Sequence, residues 1–162
     1  IRLLRDYPKG RAPPFVYMTG SSNIEVSAAE RAVLKAYLLD GGMLIADCGG
    51  PKWDRSFRRF ASELFPDKAL VNIPDDDPIY KYPFNFPNGA PPLWHHGGFR
   101  ALGIWHQNRW LVFYHPGDMN DAWKTGYSGM DAEMARRSFQ LMYNLVYHSI
   151  CNYFDATRKY RK

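Results

Sequence analysis

The first third of the chain alternates continuous apolar runs with one amphipathic segment. The run FVYMTG, residues 15–20, combines aromatic and β-branched side chains and ends at a glycine, which predicts a short buried strand. A helix follows, because Ser27 and Glu30 form a capping box and the turn after Asp40 ends the helical pattern. The run MLIAD, residues 43–47, is a second strand. This order predicts a parallel, helix-covered sheet.

The second helical segment has the clearest periodicity in the chain. Asp54 is its predicted cap and Pro66 lies at its end. Its apolar face is formed by Phe57, Phe60, Ala61, Leu64 and Phe65. A short third strand is predicted at residues 69–73.

The second half of the chain predicts a loop, a hairpin and a last helix. Residues 74–98 are rich in proline, glycine, acids and aromatics and show no periodicity, which is typical of a functional loop or a partner surface. Residues 102–115 predict a β-hairpin around the turn QNR. The last helix is expected from about Asp131, with Ser128 as the alternative cap, to His148.

The length favours one compact domain over residues 1–162. The formal net charge is +5, and the basic residues concentrate at residues 55–59 and in a basic tail at residues 155–162. There is no 18-residue apolar run and no signal peptide, although a chain that begins at Ile1 gives this absence little weight. Two cysteines, Cys48 and Cys151, do not define a redox compartment.

Several ordered motifs carry a resemblance to a known family. They are FVYMTG, YLLDGGMLIAD, SFRRFASELFPD, PIYKYPFNFPNG, GIWHQNRWLVFYH, DAW and YNLVYHSI. Together they resemble the bacterial family catalogued as domain of unknown function 4159, over residues 15–150. The resemblance implies a flavodoxin-like three-layer α/β sandwich with a mostly parallel central sheet and an added β-hairpin. It places the chain in the class I glutamine amidotransferase-like superfamily, among proteins often associated with the bacterial envelope, and implies no established activity.

The start of the chain departs from that family. Family members usually carry an earlier strand and helix, whereas only some fourteen residues precede FVYMTG here. We therefore expect either a sheet without that edge element or a mature protein with further sequence.

Cys48 is the candidate nucleophile that the resemblance implies. Amidotransferases of this superfamily carry their cysteine in a G-x-C-x-G elbow and a later H-x-E, and here residues 46–50 give x-x-C-x-G. Asp47 would disfavour a thiolate, and the predicted helix begins late at Asp54. None of the five histidines lies in H-x-E; they are His95, His96, His106, His115 and His148. A structural cysteine is favoured, and a hydrolase or amidase-like enzyme using Cys48 with His95, His96 or His115 is the alternative.

Two acidic patterns offer further chemistry. His115, Asp118 and Asp121 recur every third residue in HPGDMND, and with His95 and His96 they would suit a divalent cation. A turn followed by a helix cap explains the same residues. The run Asp75–Asp77 is a candidate for carboxylate catalysis, but adjacent acids in a proline-flanked loop more often face water.

These observations favour a non-catalytic binding or assembly module, a membrane-extrinsic structural subunit of a bacterial envelope complex. Its partners are expected to be other protein subunits, with an anionic lipid surface as an alternative for the tail, and neither a cofactor nor nucleic acid is expected. A disordered, solvated tail is slightly favoured over a binding role. The candidate binding residues are Tyr80, Tyr82, Phe84, Phe86, Trp94, Phe99, Trp123, Arg158, Lys159 and Arg161.

Overall fold

A computed structural model describes residues 3–91, 100–123 and 131–160. Six residues singled out above lie outside these ranges, namely Trp94, His95, His96, Phe99, Ser128 and Arg161. Within the described ranges the strands are β1 (Phe15–Gly20), β2 (Met43–Cys48), β3 (Val71–Asn72), β4 (Leu102–His106) and β5 (Arg109–His115). They form one five-stranded sheet in the order β1-β2-β5-β4-β3. The mixed α/β class is as predicted.

The α-helices of the described chain are α1 (Ala28–Leu39), α2 (Pro51–Leu64), α3 (Met119–Trp123) and α4 (Ala132–Thr157). The predicted capping box of α1 is present, since Glu30 N donates to Ser27 Oγ and Ser27 N donates to Glu30 Oε2. Asp131 caps α4 by accepting a hydrogen bond from Met134 N at 2.7 Å. No helix in the described ranges has the length and apolar character needed to span a bilayer.

Two hydrophobic clusters cover the sheet. One cluster joins α1 and α2 to β2 and β5 and includes Leu38, Phe57, Leu44 and Val112. The other joins α3 and α4 to the same strands and includes Met119, Leu145, Ile45 and Phe113. Every residue of β2 is buried, as the continuous apolar run predicts for a strand covered on both faces.

The hairpin is confirmed, but its position in the sheet differs from the prediction. Gln107 and Asn108 form its turn with φ of 46° and 63°, which suits the tight two-residue connection of a β-hairpin. Strand β5 pairs in parallel with β2 and in antiparallel with β4. The hairpin therefore supplies a central strand and is not an addition to the edge of the sheet.

The burial of one strand and the bounds of two helices differ from the sequence predictions. Strand β1 is half exposed, because in the described sheet it lies at the edge and pairs with β2 alone. Helix α2 begins at Pro51, three residues earlier than the predicted cap at Asp54, because proline has a backbone suited to the first helical position. Helix α4 extends past His148 to Thr157, because nothing in residues 149–157 interrupts the helical pattern.

The basic tail is ordered as far as the structure describes it. Residues 155–157 belong to α4, and Arg158–Tyr160 form a 3-10 turn. Tyr160 holds this turn against the domain, since its hydroxyl donates to Asp40 Oδ1 at 2.6 Å. The expected disordered tail is therefore wrong for residues 155–160.

Candidate functional site

The carboxyl ends of the parallel strands β2 and β5 carry polar side chains and lie side by side. The chain leaves β2 for α2 on one face of the sheet, and it leaves the neighbouring parallel strand β5 for α3 and α4 on the other face. In open α/β sheets, ligands bind at the carboxyl ends of two strands whose connections separate in this way. Asp47, Cys48 and His115 all lie at this point.

Asp47 is fully buried and surrounded by donors. Its carboxylate accepts hydrogen bonds from the Tyr17 hydroxyl at 2.6 Å, from Met119 N at 2.7 Å and from Asn120 N at 3.0 Å. The side-chain amide of Asn120 adds a fourth contact at 3.2 Å. A carboxylate whose oxygens are occupied by protein donors ties β1, β2 and the start of α3 together. This arrangement favours a structural role for Asp47.

The electrostatics of Tyr17 agree with that role. Burial raises the pKa of Tyr17 well above its ordinary value, and the negative charge of Asp47 together with the hydrogen bond raises it further. The phenol therefore remains protonated and serves as a hydrogen-bond donor.

Cys48 is fully buried on the opposite face of the sheet from Asp47. Its thiol donates to Gly50 O at 3.2 Å. Burial raises the pKa of Cys48, and the carboxylates of Asp54 and Asp47 raise it further. The start of α2 at Pro51 brings the helix N-terminus closer to Cys48 than the sequence predicts, yet the pKa of the thiol is still raised. The groups that shift this pKa most are Gly50, Tyr114, Asp54 and Asp47, and none of these can act as an imidazole base toward the thiol.

A second polar network lies beside Cys48. The Tyr114 hydroxyl donates to Asp54 Oδ1, and Arg58 Nε donates to the same carboxylate at 2.9 Å. The Arg58 guanidinium also lies 5.7 Å from the centre of the Tyr114 ring. Burial raises the pKa of Tyr114, as does its hydrogen bond to Asp54. Asp54 therefore positions Tyr114 and Arg58 and does not cap α2.

The proposed metal ligands form a turn. Gly117 N donates to His115 Nδ1 at 2.9 Å, and Asp118 adopts a left-handed φ of 57°. Asp118 Oδ1 accepts from the Asn120 amide at 2.9 Å and from Asp121 N at 3.3 Å. Across the described residues, no three His, Cys, Asp or Glu side chains come together in a way that could hold a metal ion. In that part of the chain, His115, Asp118 and Asp121 are not assembled into a cation site.

The acidic run of residues 75–77 does not form a catalytic pair. Asp77 caps a 3-10 turn by accepting from Ile79 N at 2.9 Å, and it accepts from Trp110 Nε1 at 3.0 Å. Asp75 forms an ion pair with Arg100. Their carboxylates serve different partners and therefore do not converge on one site.

The predicted aromatic surface is only partly exposed. Tyr80 and Phe86 are buried at 1% and 0% exposure and belong to the core beside α4, so they cannot serve as surface anchors. Tyr82 is 57% exposed, whereas Phe84 and Trp123 are half-buried. Whether an aromatic residue of this loop is buried or exposed depends on its position against α4.

The outer face of α4 carries apolar side chains that the sequence analysis missed. We call the set Phe139, Tyr143, Tyr147, Ile150 and Phe154 the α4 stripe; its members are 36–64% exposed. Three of the predicted aromatics pack along it. Tyr82 lies 4.8 Å from Tyr147, Phe84 lies 6.0 Å from Tyr143, and Trp123 lies 6.0 Å from Phe139, measured between ring centres. The available signal was the recurrence of large apolar residues at steps of three and four on the side away from the core.

The basic candidates lie beyond the end of the stripe. Arg158 is 82% exposed in its side chain and pairs with Asp155 at 2.9 Å. Lys159 lies 4.9 Å from the centre of the Tyr160 ring. Both are therefore surface residues with partners on their own chain.

The chain is similar to a known protein family. A family model described as "Domain of unknown function (DUF4159)" covers residues 11–150. No curated protein matches the chain.

Proposed function

The chain belongs to the DUF4159 family, and we propose that it is a non-catalytic binding or assembly module, a membrane-extrinsic structural subunit of a bacterial envelope complex. We also infer a flavodoxin-like three-layer architecture of the class I glutamine amidotransferase-like superfamily. Helices on both faces of the sheet and a cysteine at the turn between β2 and α2 support that inference.

The single observation that carries the assembly function is the α4 stripe. Together with Tyr82, its side chains expose about 600 Å² of mostly apolar surface, since a large aromatic contributes roughly 150–250 Å² when fully free. A patch of that size reaches the upper limit of the largest apolar patches on typical monomers, and such patches are often functional. Large aromatic side chains bury much area at a small cost in conformational entropy, which suits them to interfaces.

The chemistry at the strand ends supports a non-catalytic role. The Cys48 thiol is buried with a raised pKa, and the Asp47 carboxylate is filled by protein donors. A nucleophile needs a low thiol pKa or an adjacent base, and a general base needs a free lone pair near the substrate. Asp47 stabilises the junction of β1, β2 and α3, and Cys48 packs at the junction of β2 and α2.

Recovery of partners from native membranes tests this function. Tagged wild-type chain, extracted gently from the membrane fraction, should recover protein partners in fixed stoichiometry. The double variant Tyr143→Ser and Phe154→Ser should lose them, because it removes apolar area from the stripe. Leu39→Ser is the matched control, since Leu39 is 42% exposed but lies on α1.

Two outcomes would contradict the proposal. The first is elution of the wild-type chain alone as a monomer. The second is full recovery of partners by the double variant with its helical circular dichroism unchanged.

A further inference from the structure

We propose that the α4 stripe pairs with the same stripe of a second copy of this chain, so that two α4 helices pack antiparallel about a two-fold axis. The inference rests on the proposed function and names the partner of the same surface. It follows from the spacing of the stripe, from the charges beside it and from its area.

The stripe has the spacing that a two-fold interface requires. Phe139 and Phe154 are equally distant from the midpoint between Val146 and Tyr147, and so are Tyr143 and Ile150. When an identical helix is reversed about that midpoint, Phe139 faces Phe154 of the other copy and Tyr143 faces Ile150. An isologous interface consists of one patch that meets itself in this way.

The stripe is also straight enough to meet a second helix along its length. Its five residues fall within a sector of about 80° on the helix surface and span about 22 Å along the axis. Residues confined to one sector of a helix can contact one neighbour continuously.

Charged residues at the two ends of α4 are complementary under the same reversal. Glu133 and Arg158 are equally distant from the midpoint between Leu145 and Val146. This midpoint lies one residue, or about 1.5 Å along the axis, from the midpoint of the stripe. Both are well exposed, with side chains at 62% and 82%. Reversal therefore places the acid of one copy beside the base of the other, at both ends of the interface.

The charges also distinguish the two possible directions of the second helix. A parallel pair of helices would instead place Glu133 beside Glu133 and Arg158 beside Arg158, which is repulsive. The charge pattern therefore selects the antiparallel arrangement.

The area of the patch is adequate for a standard interface. The stripe with Tyr82 exposes about 600 Å², so two copies would bury up to about 1,200 Å² in total, which is the lower end of the range for specific complexes. Within each copy Arg136 pairs with Glu133 and Arg158 with Asp155, and these exposed pairs contribute little to folding, so they can exchange partners readily.

Sedimentation equilibrium of the full chain at several concentrations tests the pairing. The wild type should show a monomer–dimer equilibrium, and Tyr143→Arg should abolish it while circular dichroism stays unchanged. Arg158→Glu alone and Glu133→Arg alone should each raise the dissociation constant by about tenfold at low salt, because each creates a like-charge contact at both ends. The double variant Glu133→Arg with Arg158→Glu should return to the wild-type value.

The double variant separates pairing between copies from effects within one copy. It breaks the pair of Glu133 with Arg136 and the pair of Asp155 with Arg158 within each copy, so its recovery can come only from contact between copies. Arg59→Glu is the control, since Arg59 is 66% exposed and pairs with Glu63 four residues away on α2. This control should leave the dissociation constant unchanged.

Three results would overturn the inference. They are a wild-type monomer at every concentration, a dimer that is insensitive to Tyr143→Arg, and a charge-reversed double variant weaker than both single variants. A monomeric wild type that still recovers membrane partners through the stripe would leave the assembly function standing. A monomeric wild type whose partner recovery is unaffected by substitutions in the stripe would contradict both proposals.

Discussion

The Tyr17 hydroxyl donates a hydrogen bond to Asp47 Oδ2 at 2.6 Å, which links the edge strand β1 to the buried strand β2. The contact crosses two parallel strands whose register pairs Tyr17 with Ile45 and Thr19 with Asp47. The ring of Tyr17 also lies 5.9 Å from that of Trp123 in α3. One tyrosine therefore connects the edge of the sheet with the start of the helical layer on that face.

Loss of this hydroxyl should destabilise the fold. Tyr17→Phe should lower the free energy of unfolding by about 1.5–3 kcal/mol, the usual contribution of a hydrogen bond to a charged group. Urea denaturation at pH 7 measures the effect. Ser62→Ala is the control, because it removes an exposed hydroxyl that donates only to the neutral carbonyl of Arg59 within α2. Equal stability of Tyr17→Phe and wild type would show that the contact contributes nothing.

The two cysteines should differ in reactivity. Cys151 is exposed and Cys48 is buried with a raised pKa, so an alkylating reagent at pH 8 should label Cys151 quickly and Cys48 only slowly. Labelling of the Cys151→Ser variant followed by mass spectrometry isolates Cys48. In urea both sites should react alike. Fast labelling of Cys48 in the folded chain would instead support the alternative of a cysteine-dependent enzyme.

Two adjacent glycines after β2 should respond differently to alanine. A Cβ at Gly49 would lie 2.6 Å from the backbone oxygen of Gly20, whereas a Cβ at Gly50 would meet nothing within 4 Å. Because the backbone of Gly20 cannot yield as a side chain can, Gly49→Ala should cost about 1–3 kcal/mol of stability. Gly50→Ala, in extended backbone, should change stability little. Thermal melts of both variants provide the comparison, and equal melting temperatures would refute the steric argument.

His148 should make the fold sensitive to mild acid. Burial lowers the pKa of His148. The contact of His148 Nε2 with Tyr82 O at 3.1 Å and the nearby Asp77 carboxylate oppose this effect. The folded state therefore binds the proton less readily than the unfolded state, whose histidine titrates near about 6.5. Stability attributable to His148 should be complete above that pH and should decline as the pH falls toward the folded-state pKa.

The variant His148→Gln measures that contribution, because glutamine does not titrate and can still donate to Tyr82 O. Its free energy of unfolding should fall less between pH 7 and pH 5 than that of the wild type. His106→Gln makes the same substitution in β4, away from this contact. If His148→Gln retains the full wild-type slope, the acid sensitivity has another origin.

Local signals in the sequence explain which elements could be predicted. Ser27 and Glu30 act on each other within one turn, and the apolar run of β2 shows its burial directly. The position of β5 depends on pairing between residues about seventy positions apart, such as Leu44 with Val112, which no local pattern specifies. The sequence therefore predicts the hairpin but not its place at the centre of the sheet.

The same distinction applies to the candidate sites. The acid beside Cys48 is visible in the sequence, but burial of the thiol depends on Trp53, Phe57 and Tyr114, which converge only in the fold. The burial of Tyr80 and Phe86 likewise depends on α4. The large apolar residues of the α4 stripe also recur at helical spacing. A hydrophobic pattern predicts one apolar face on a helix, whereas α4 has a buried apolar face and a second, exposed one.

The strand order has a consequence for synthesis of the chain. Strand β2 is complete at Cys48, but its second partner is β5, which begins at Arg109 after the chain has gone to the far edge of the sheet and returned. During synthesis, one backbone edge of β2 stays unpaired until some sixty more residues have been added, at a rate of roughly 5–20 residues per second. For several seconds the unpaired edge of an apolar strand is exposed to pairing with other nascent chains. Early intermediates, more than the finished domain, are where this fold is most vulnerable to aggregation.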